Sequence, residues 1–359
     1  MSSLDPLTDI RPSGSQFLEE IREQPDALRR LVERAAEYER VAAAVRERRA
    51  TTIRMVGHGS SDNATSYGVY AFGLLPRWTA LRDSITLTVY YGTTLDLSGA
   101  TVIGLSQSGQ TPDVIEYVTR ARRSGAFTVA LTNDPDSELA VSAEAVLPLA
   151  AGPEHAVAAS KTYLNQVAAL ALLAAHAAGT GRLFTERLRV TAGLLEETIA
   201  ALEPQARLVA SSFASVGRMF VIGRGTEFGT AREIALKLLE TCRVLAEPLT
   251  ATDLAHGPIA ALDPLFPVWT IASDDATLPA VVEAAQRARA TGATLVASGP
   301  AADRVADAAY VLPVPKPPSP LLSPLLSVVP GQLFAWALAQ AKGLDADSPA
   351  GLSKVTLAR

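Results

Sequence analysis

Six consecutive residues, Ser106-Gln107-Ser108-Gly109-Gln110-Thr111, place three hydroxyls around one glycine. They follow Thr101 to Leu105, a short β-branched apolar run that reads as a buried strand, and precede a helical pattern opening at Pro112 and Asp113. A strand that ends in small hydroxyl residues and then enters a helix can cradle an anion. The hydroxyls donate hydrogen bonds, the glycine admits backbone N–H groups, and the helix start adds the positive end of its dipole. No lysine follows the glycine, so this is not a nucleotide P-loop, and a compact phosphate monoester suits it better. The alternative is an ordinary capped strand-to-helix turn.

A second group follows Gly223-Arg224-Gly225. The segment Ala231 to Thr241 reads as a helix on which Glu233, Lys237 and Glu240 share a face. Glu247, Asp253 and then His256-Gly257-Pro258 come soon after, and the Gly-Pro pair puts the imidazole on a loop. A carboxylate and a histidine brought to one pocket suit proton transfer, with Glu240 serving carbon and His256 serving oxygen. The alternative is a salt-bridged exposed helix followed by a structural histidine.

The elements that must position these groups alternate. Ile53 to Val56, Thr101 to Leu105, Phe127 to Thr132 and Val146 to Leu149 read as strands. Asn63 to Leu75, Val114 to Ser124, Lys161 to Ala178 and Arg187 to Leu202 read as helices. This is an α/β pattern, a parallel sheet wrapped by helices with ligands at the carboxyl ends of the strands. Residues 1 to 15 are expected to be loose, Pro25 to Arg49 helical, Pro313 to Pro324 a linker or an extended loop, and Gln332 to Lys342 the last helix.

The order then recurs about 165 positions on, one ordinary domain length. Thr132 to Leu149 aligns without gaps to Ala297 to Val314, and the glycines of Gly57-His58-Gly59 match Gly223-Arg224-Gly225. The repeat is imperfect: the cradle faces Ala272-Ser273-Asp274-Asp275-Ala276-Thr277. Adjacent aspartates repel a phosphate, so the anion site is expected in the first copy only.

Bulk composition narrows the classes. At 359 residues the chain fits two domains, and 48% hydrophobic with 19% charged residues describes large cores. A net charge of −5 argues against nucleic acid as a partner. The run Val167 to Ala178 is too short to span a bilayer, so no membrane partner is expected. One cysteine, Cys242, excludes an internal disulfide and a multi-cysteine metal site, and no signal peptide is evident. The expected location is the cytoplasm.

Seven blocks occur in order: Glu20-Ile-Arg-Glu-Gln-Pro25, Ser106 to Gly109, Gly152-Pro-Glu154 with Val157-Ala-Ala-Ser-Lys161, Gly223 to Gly225, Leu236-Lys-Leu-Leu-Glu240, His256 to Pro258, and Leu352-Ser-Lys-Val-Thr356. The set resembles the double sugar-isomerase (SIS) family, as in the isomerase half of glucosamine-6-phosphate synthase. The Val-Ala-Ala-Ser-Lys form is more similar to stand-alone SIS-type glucosamine-6-phosphate deaminases. The resemblance implies two tandem flavodoxin-like SIS domains, at 36–200 and 201–342, with an N-terminal segment 1–35 and a catalytic tail 343–359.

It also implies roles. Ser106, Gln107, Ser108 and Thr111, with Ser61 assisting, would hold the sugar phosphate, and Val157 and Ala159 would line the substrate. Glu240 would carry the proton between C1 and C2, His256 would open the ring, and Lys237 would lie beside the substrate hydroxyls. Lys354 matches the lysine that forms an imine with an open-chain ketose. Ala159 replaces a serine common in the synthase, and Ala350 an arginine before the lysine motif. His58, His155 and His176 are assigned structural roles, and Arg224 is either structural or near the ligand.

The implied reaction converts glucosamine 6-phosphate to fructose 6-phosphate and ammonia, with no metal or organic cofactor, in a homodimer with shared active sites. With Met1-Ser2-Ser3 at its start and no cysteine nearby, glutamine hydrolysis is not expected. The rivals are a fructosamine-type deglycase acting on a sugar phosphate that carries an amino acid, an ammonia-dependent aminotransferase/isomerase, and a non-catalytic sugar-phosphate sensor.

Overall fold

The computed structural model describes residues 14–354. Most of the segment expected to be loose therefore lies outside the described residues, as do Val355 and Thr356 of the tail motif. Two parallel five-stranded sheets organise the rest. The first contains β1 (Thr52–Val56), β2 (Ala80–Arg82), β3 (Ala100–Leu105), β4 (Phe127–Thr132) and β5 (Ala145–Pro148), in the order β2-β1-β3-β4-β5. The second contains β6 (Arg218–Ile222), β7 (Leu245–Leu249), β8 (Pro267–Ile271), β9 (Thr294–Gly299) and β10 (Tyr310–Pro313), in the order β10-β9-β8-β6-β7. Read from the β7 edge, this repeats the first order, so the duplication seen in sequence is a duplication of topology. The order is flavodoxin-like and puts a crevice where the winding reverses, between β1 and β3.

Register and burial follow from side-chain alternation. Met55 on β1 pairs with Ile103 on β3, which pairs with Val129 on β4. β3 and β4 are buried along their whole length, as strands covered on both faces must be. Ile103 and Leu105 enter one core while Val102 enters another, the period of two expected of a strand. The larger core is continuous through both halves, joining Met55 and Ile103 to Trp269, Val296 and Leu312.

The fully buried helix Lys161–Ala177 and the helices Gly181–Ser211 and Ser323–Ala341 run through this shared core. The segment Pro320–Ala341 is long and apolar enough to cross a membrane, with mean hydropathy 1.6, but 94% of that window is buried within the fold. It is a core helix. The helix Ser60–Leu74 packs against its duplicated counterpart Glu227–Cys242, closely enough that a Cβ on Gly229 would sit 2.9 Å from the Asn63 carbonyl.

Prolines account for the main differences from the expected elements. The helix expected to stop at Leu202 runs from Gly181 to Ser211 with Pro204 inside, through position 200. Leu195, Ile199, Leu202, Ala206 and Val209 keep a buried face past the proline, and that packing outweighs one missing backbone donor. The last helix begins at Ser323 rather than Gln332, with Pro324 in its first turn and Pro330 inside. Three short helices, Ile85–Val89, Glu138–Ser142 and Ala251–Ala255, were not foreseen.

Candidate active site

The cradle forms as its residue types dictate. Gly109 takes the left-handed φ of 64°, and its N–H donates to Ser106 Oγ at 3.1 Å. Ser106 Oγ and Thr111 Oγ1 are 2.9 Å apart, and Gln110 N–H donates to Ser108 Oγ at 3.3 Å. Thr111 is the N-cap of the helix Pro112–Arg123. A second helix start, Ser60 and Ser61 after Gly59 at φ 54°, lies across the same crevice. The helix was expected from Asn63; its earlier start places both serines in the first turn. Two helix N-termini and their hydroxyls thus line one space, which favours an anion.

That space is a cavity of about 580 Å³. Its wall includes Ser61, Ser106, Gln107, Ser108 and Thr111 together with Val157, Ala159, Lys237, Glu240 and Lys354, and the Lys237 ammonium donates to Ser60 Oγ at 3.3 Å. At the second copy's equivalent of the cradle, the polar groups are engaged with one another. Asp274 pairs with Lys316 at 2.5 Å, and Asp275 accepts from Thr277 N–H and hydroxyl at 2.7 and 2.6 Å. Two residues after Gly225, where the first copy has Ser61 after Gly59, stands Glu227. Its carboxylate is buried and accepts from Ser273 at 2.5 Å, Thr230 at 2.7 Å and Ser327 at 2.9 Å.

Lys237 and Glu240 form an ion pair at 2.6 Å, with Glu233 3.5 Å from the same ammonium. Lys237 and Glu233 are fully buried, whereas the Glu240 side chain keeps 22% of its exposure and is open to the cavity. Burial works against the Lys237 charge, but Glu240 and Glu233 outweigh it and raise its pKa. Burial pushes Glu233 upward, against the pull of Lys237 and Asn63. Ser60 Oγ and Asn63 Nδ2 donate to Glu233 at 2.9 and 2.8 Å, so the second domain's charged helix face is tied to the first domain's helix start.

Lys354 reaches the cavity from the tail and donates to Glu154 Oε2 at 2.9 Å and to the Ala156 carbonyl at 2.6 Å. Glu154 is wholly buried and also accepts from Ser160 N–H, Thr162 N–H and the Thr162 hydroxyl at 3.0, 3.1 and 2.7 Å. Burial alone would raise its pKa, but Lys354 and these donors hold it below the usual range. Sequence reasoning quoted Glu154 within a motif and gave it no task. Thr86, Tyr90 and Asp113 on the cavity wall were also unassigned.

His256 is not brought to the cavity within one chain. It caps the short helix Ala251–Ala255 and is exposed, and Asp253 is spent in a capping box with Thr250. His58 lies on the cavity wall, with Nε2 2.7 Å from Asp113 Oδ2, so it bridges the two phosphate-side loops. Arg224 donates to the Thr252 hydroxyl beside the His256 helix.

The SIS domain model matches twice, at residues 47–176 and 212–341. A protein of Aeropyrum pernix named glutamine–fructose-6-phosphate aminotransferase (isomerizing) is 36% identical over 352 residues, covering 94% of this chain and 56% of that one. The chain thus spans about half the length of the curated relatives it matches. The C-terminal domain of the Francisella tularensis glucosamine-fructose-6-phosphate aminotransferase superposes with a TM-score of 0.83 at 24% identity, covering 96% of this chain and 100% of that one. A Thermotoga maritima glucosamine-6-phosphate deaminase superposes at 0.72 with 20% identity, over 96% and 100%. With both sheets wound alike, a cradle in the first half and a charged helix face in the second, the chain belongs to the double-SIS, sugar-isomerase family.

Proposed function

We propose that this protein is a phosphosugar isomerase that deaminates glucosamine 6-phosphate to fructose 6-phosphate and ammonia. The observation that carries the reading is one cavity lined both by an anion cradle and by Glu240, Lys237 and Lys354. The phosphate sits on Ser106, Gln107, Ser108 and Thr111, with Ser61 assisting, and the sugar extends past Val157 and Ala159 toward Glu240. The ring opens with His256 of a second subunit moving the oxygen proton. Glu240 removes the proton from C2 and returns it at C1, while the ammonium of Lys237 steadies the charge that develops on the sugar oxygens. The double bond then lies between C2 and nitrogen. The Lys354 amine adds at C2 and displaces ammonia, and water then cleaves the lysine imine to release the ketose. One water is consumed for each ammonia formed.

The working unit of this reading is a homodimer with shared sites. The relatives' names and the Val157-Ala-Ala-Ser-Lys161 form support the substrate class. A second cavity, about 560 Å³, also has Glu240 in its wall, with Leu236, Leu239, Arg243 and the tail residues Ser348 to Ala350. It favours a second reading in which the amine carries an amino acid whose carboxylate faces Arg243.

A panel of glucosamine 6-phosphate and fructosamine 6-phosphates, scored for ammonia, free amino acid and ketose phosphate, separates the two. Ammonia and fructose 6-phosphate from the first substrate are expected. Glu240→Gln should retain binding while turnover falls by about 10²–10⁴, the scale of general acid–base assistance. Solvent deuterium entering C1 or C2 at the parent rate in that variant would remove Glu240 from the mechanism.

A further inference from the structure

The first helix, Ser15–Arg22, and the tail after Ala341 both lie outside the two segments matched by the family model, yet they are bonded to each other and to the cavity wall. Asp347 in the tail accepts the Phe17 N–H at 2.7 Å and the Gln16 N–H at 3.2 Å, so a tail carboxylate caps the first turn of the helix. The carbonyl of the same residue accepts the N–H of Val157 at 2.9 Å. One turn further along the helix, the buried Glu20 accepts the N–H groups of His155 and, at 3.3 Å, Ala156 with a single oxygen. The turn it grips carries both acceptors of Lys354, the Glu154 carboxylate and the Ala156 carbonyl.

We propose that Glu20 and Asp347 are positioning residues for Lys354, the first helix acting as a splint that fixes the tail lysine against the 154–157 turn for attack on a ketose phosphate carbonyl. This rests on the reading of Lys354 as the imine-forming amine. The contacts are specific to that task. Glu20 touches neither the cavity nor the lysine, and its remaining oxygen is buried without a hydrogen-bond partner among the described residues. Glu154, Lys161 and Lys354 are the charged groups that face it, and Lys161 is itself paired with Glu23.

The test uses the full chain with Glu20→Ala, Glu20→Gln and Asp347→Asn. Imine formation is read by borohydride trapping of fructose 6-phosphate on Lys354, mapped by mass spectrometry. Amine reactivity is read separately by trace acetic anhydride labelling of Lys354 against the exposed Lys316. Glu20→Ala and Asp347→Asn should slow trapping by about 10–100-fold, the scale of a 1 Å misplacement, with fructose 6-phosphate affinity unchanged. Both should raise acetylation of Lys354, because an amine freed from its acceptors reacts faster with a bulk reagent. Glu20→Gln keeps one acceptor oxygen for both N–H groups and should restore both readouts. Parent-like trapping and acetylation in folded variants, or a glutamine that behaves as alanine, overturns the proposal. If the parent traps no sugar on Lys354, the functional reading fails, and the acetylation pattern still decides whether the splint holds the lysine.

Discussion

At the scale of single residues, charge and burial set what can be measured. Burial first, then Glu154, against the opposing His155 N–H, push Glu20 up to about 7 from 4.5. An acid whose folded pKa is raised costs nothing below its unfolded pKa and its full penalty above the folded one. That cost therefore grows between pH 4.5 and 7. Glu20→Gln lacks it, so the melting temperature of the variant relative to the parent should rise from pH 5 to pH 8. A difference that stays flat would show that Glu20 does not titrate in this range. In the cradle, Ser108→Ala removes a cavity-wall hydroxyl proposed to hold the phosphate, and a hydrogen bond to a charged group is worth roughly 1.5–3 kcal/mol. The Michaelis constant for the sugar phosphate should rise by about one to two orders of magnitude. Equal affinity of the parent for phosphorylated and unphosphorylated sugars would remove the cradle from recognition.

At the scale of elements, the cradle is held by a backbone that only glycine fits. A Cβ on Gly109 would meet Ser137 Oγ at 2.0 Å, and its φ of 64° is left-handed. Gly109→Ala should cost about 1–2 kcal/mol from conformation alone, before the clash, and should weaken phosphate binding together with thermal stability. A variant that keeps parent affinity while melting earlier would mean the loop tolerates the shift. This element was readable from sequence because the strand, the hydroxyls and the helix start are local and contiguous. The same holds for β4, whose expected and observed limits coincide at Phe127 and Thr132. Pro204, Pro324 and Pro330 misdirected the helix limits, because their tolerance depends on buried faces that local pattern does not reveal. Glu154 stayed unread for a different reason. Its partner Lys354 is 200 residues away, and no spacing rule links them.

At the scale of the whole molecule, His256 sits exposed and away from its own chain's cavity, as a residue serving a neighbour would. Mixing inactive His256→Ala with inactive Glu240→Gln, under conditions where subunits exchange, should restore activity through mixed dimers that hold one complete site. No recovery despite proven exchange, or a fully active monomer, would refute shared sites. The buried Glu227 has a consequence at this scale as well. Its carboxyl group engages Ser273, within the second copy's equivalent of the cradle, and also Thr230 and Ser327, so that half is self-liganded. A titration with inorganic phosphate should then saturate at one equivalent per chain, and a single polypeptide can show no homotropic cooperativity. Sigmoidal kinetics, where observed, would have to be communicated between subunits rather than between the two halves of one chain.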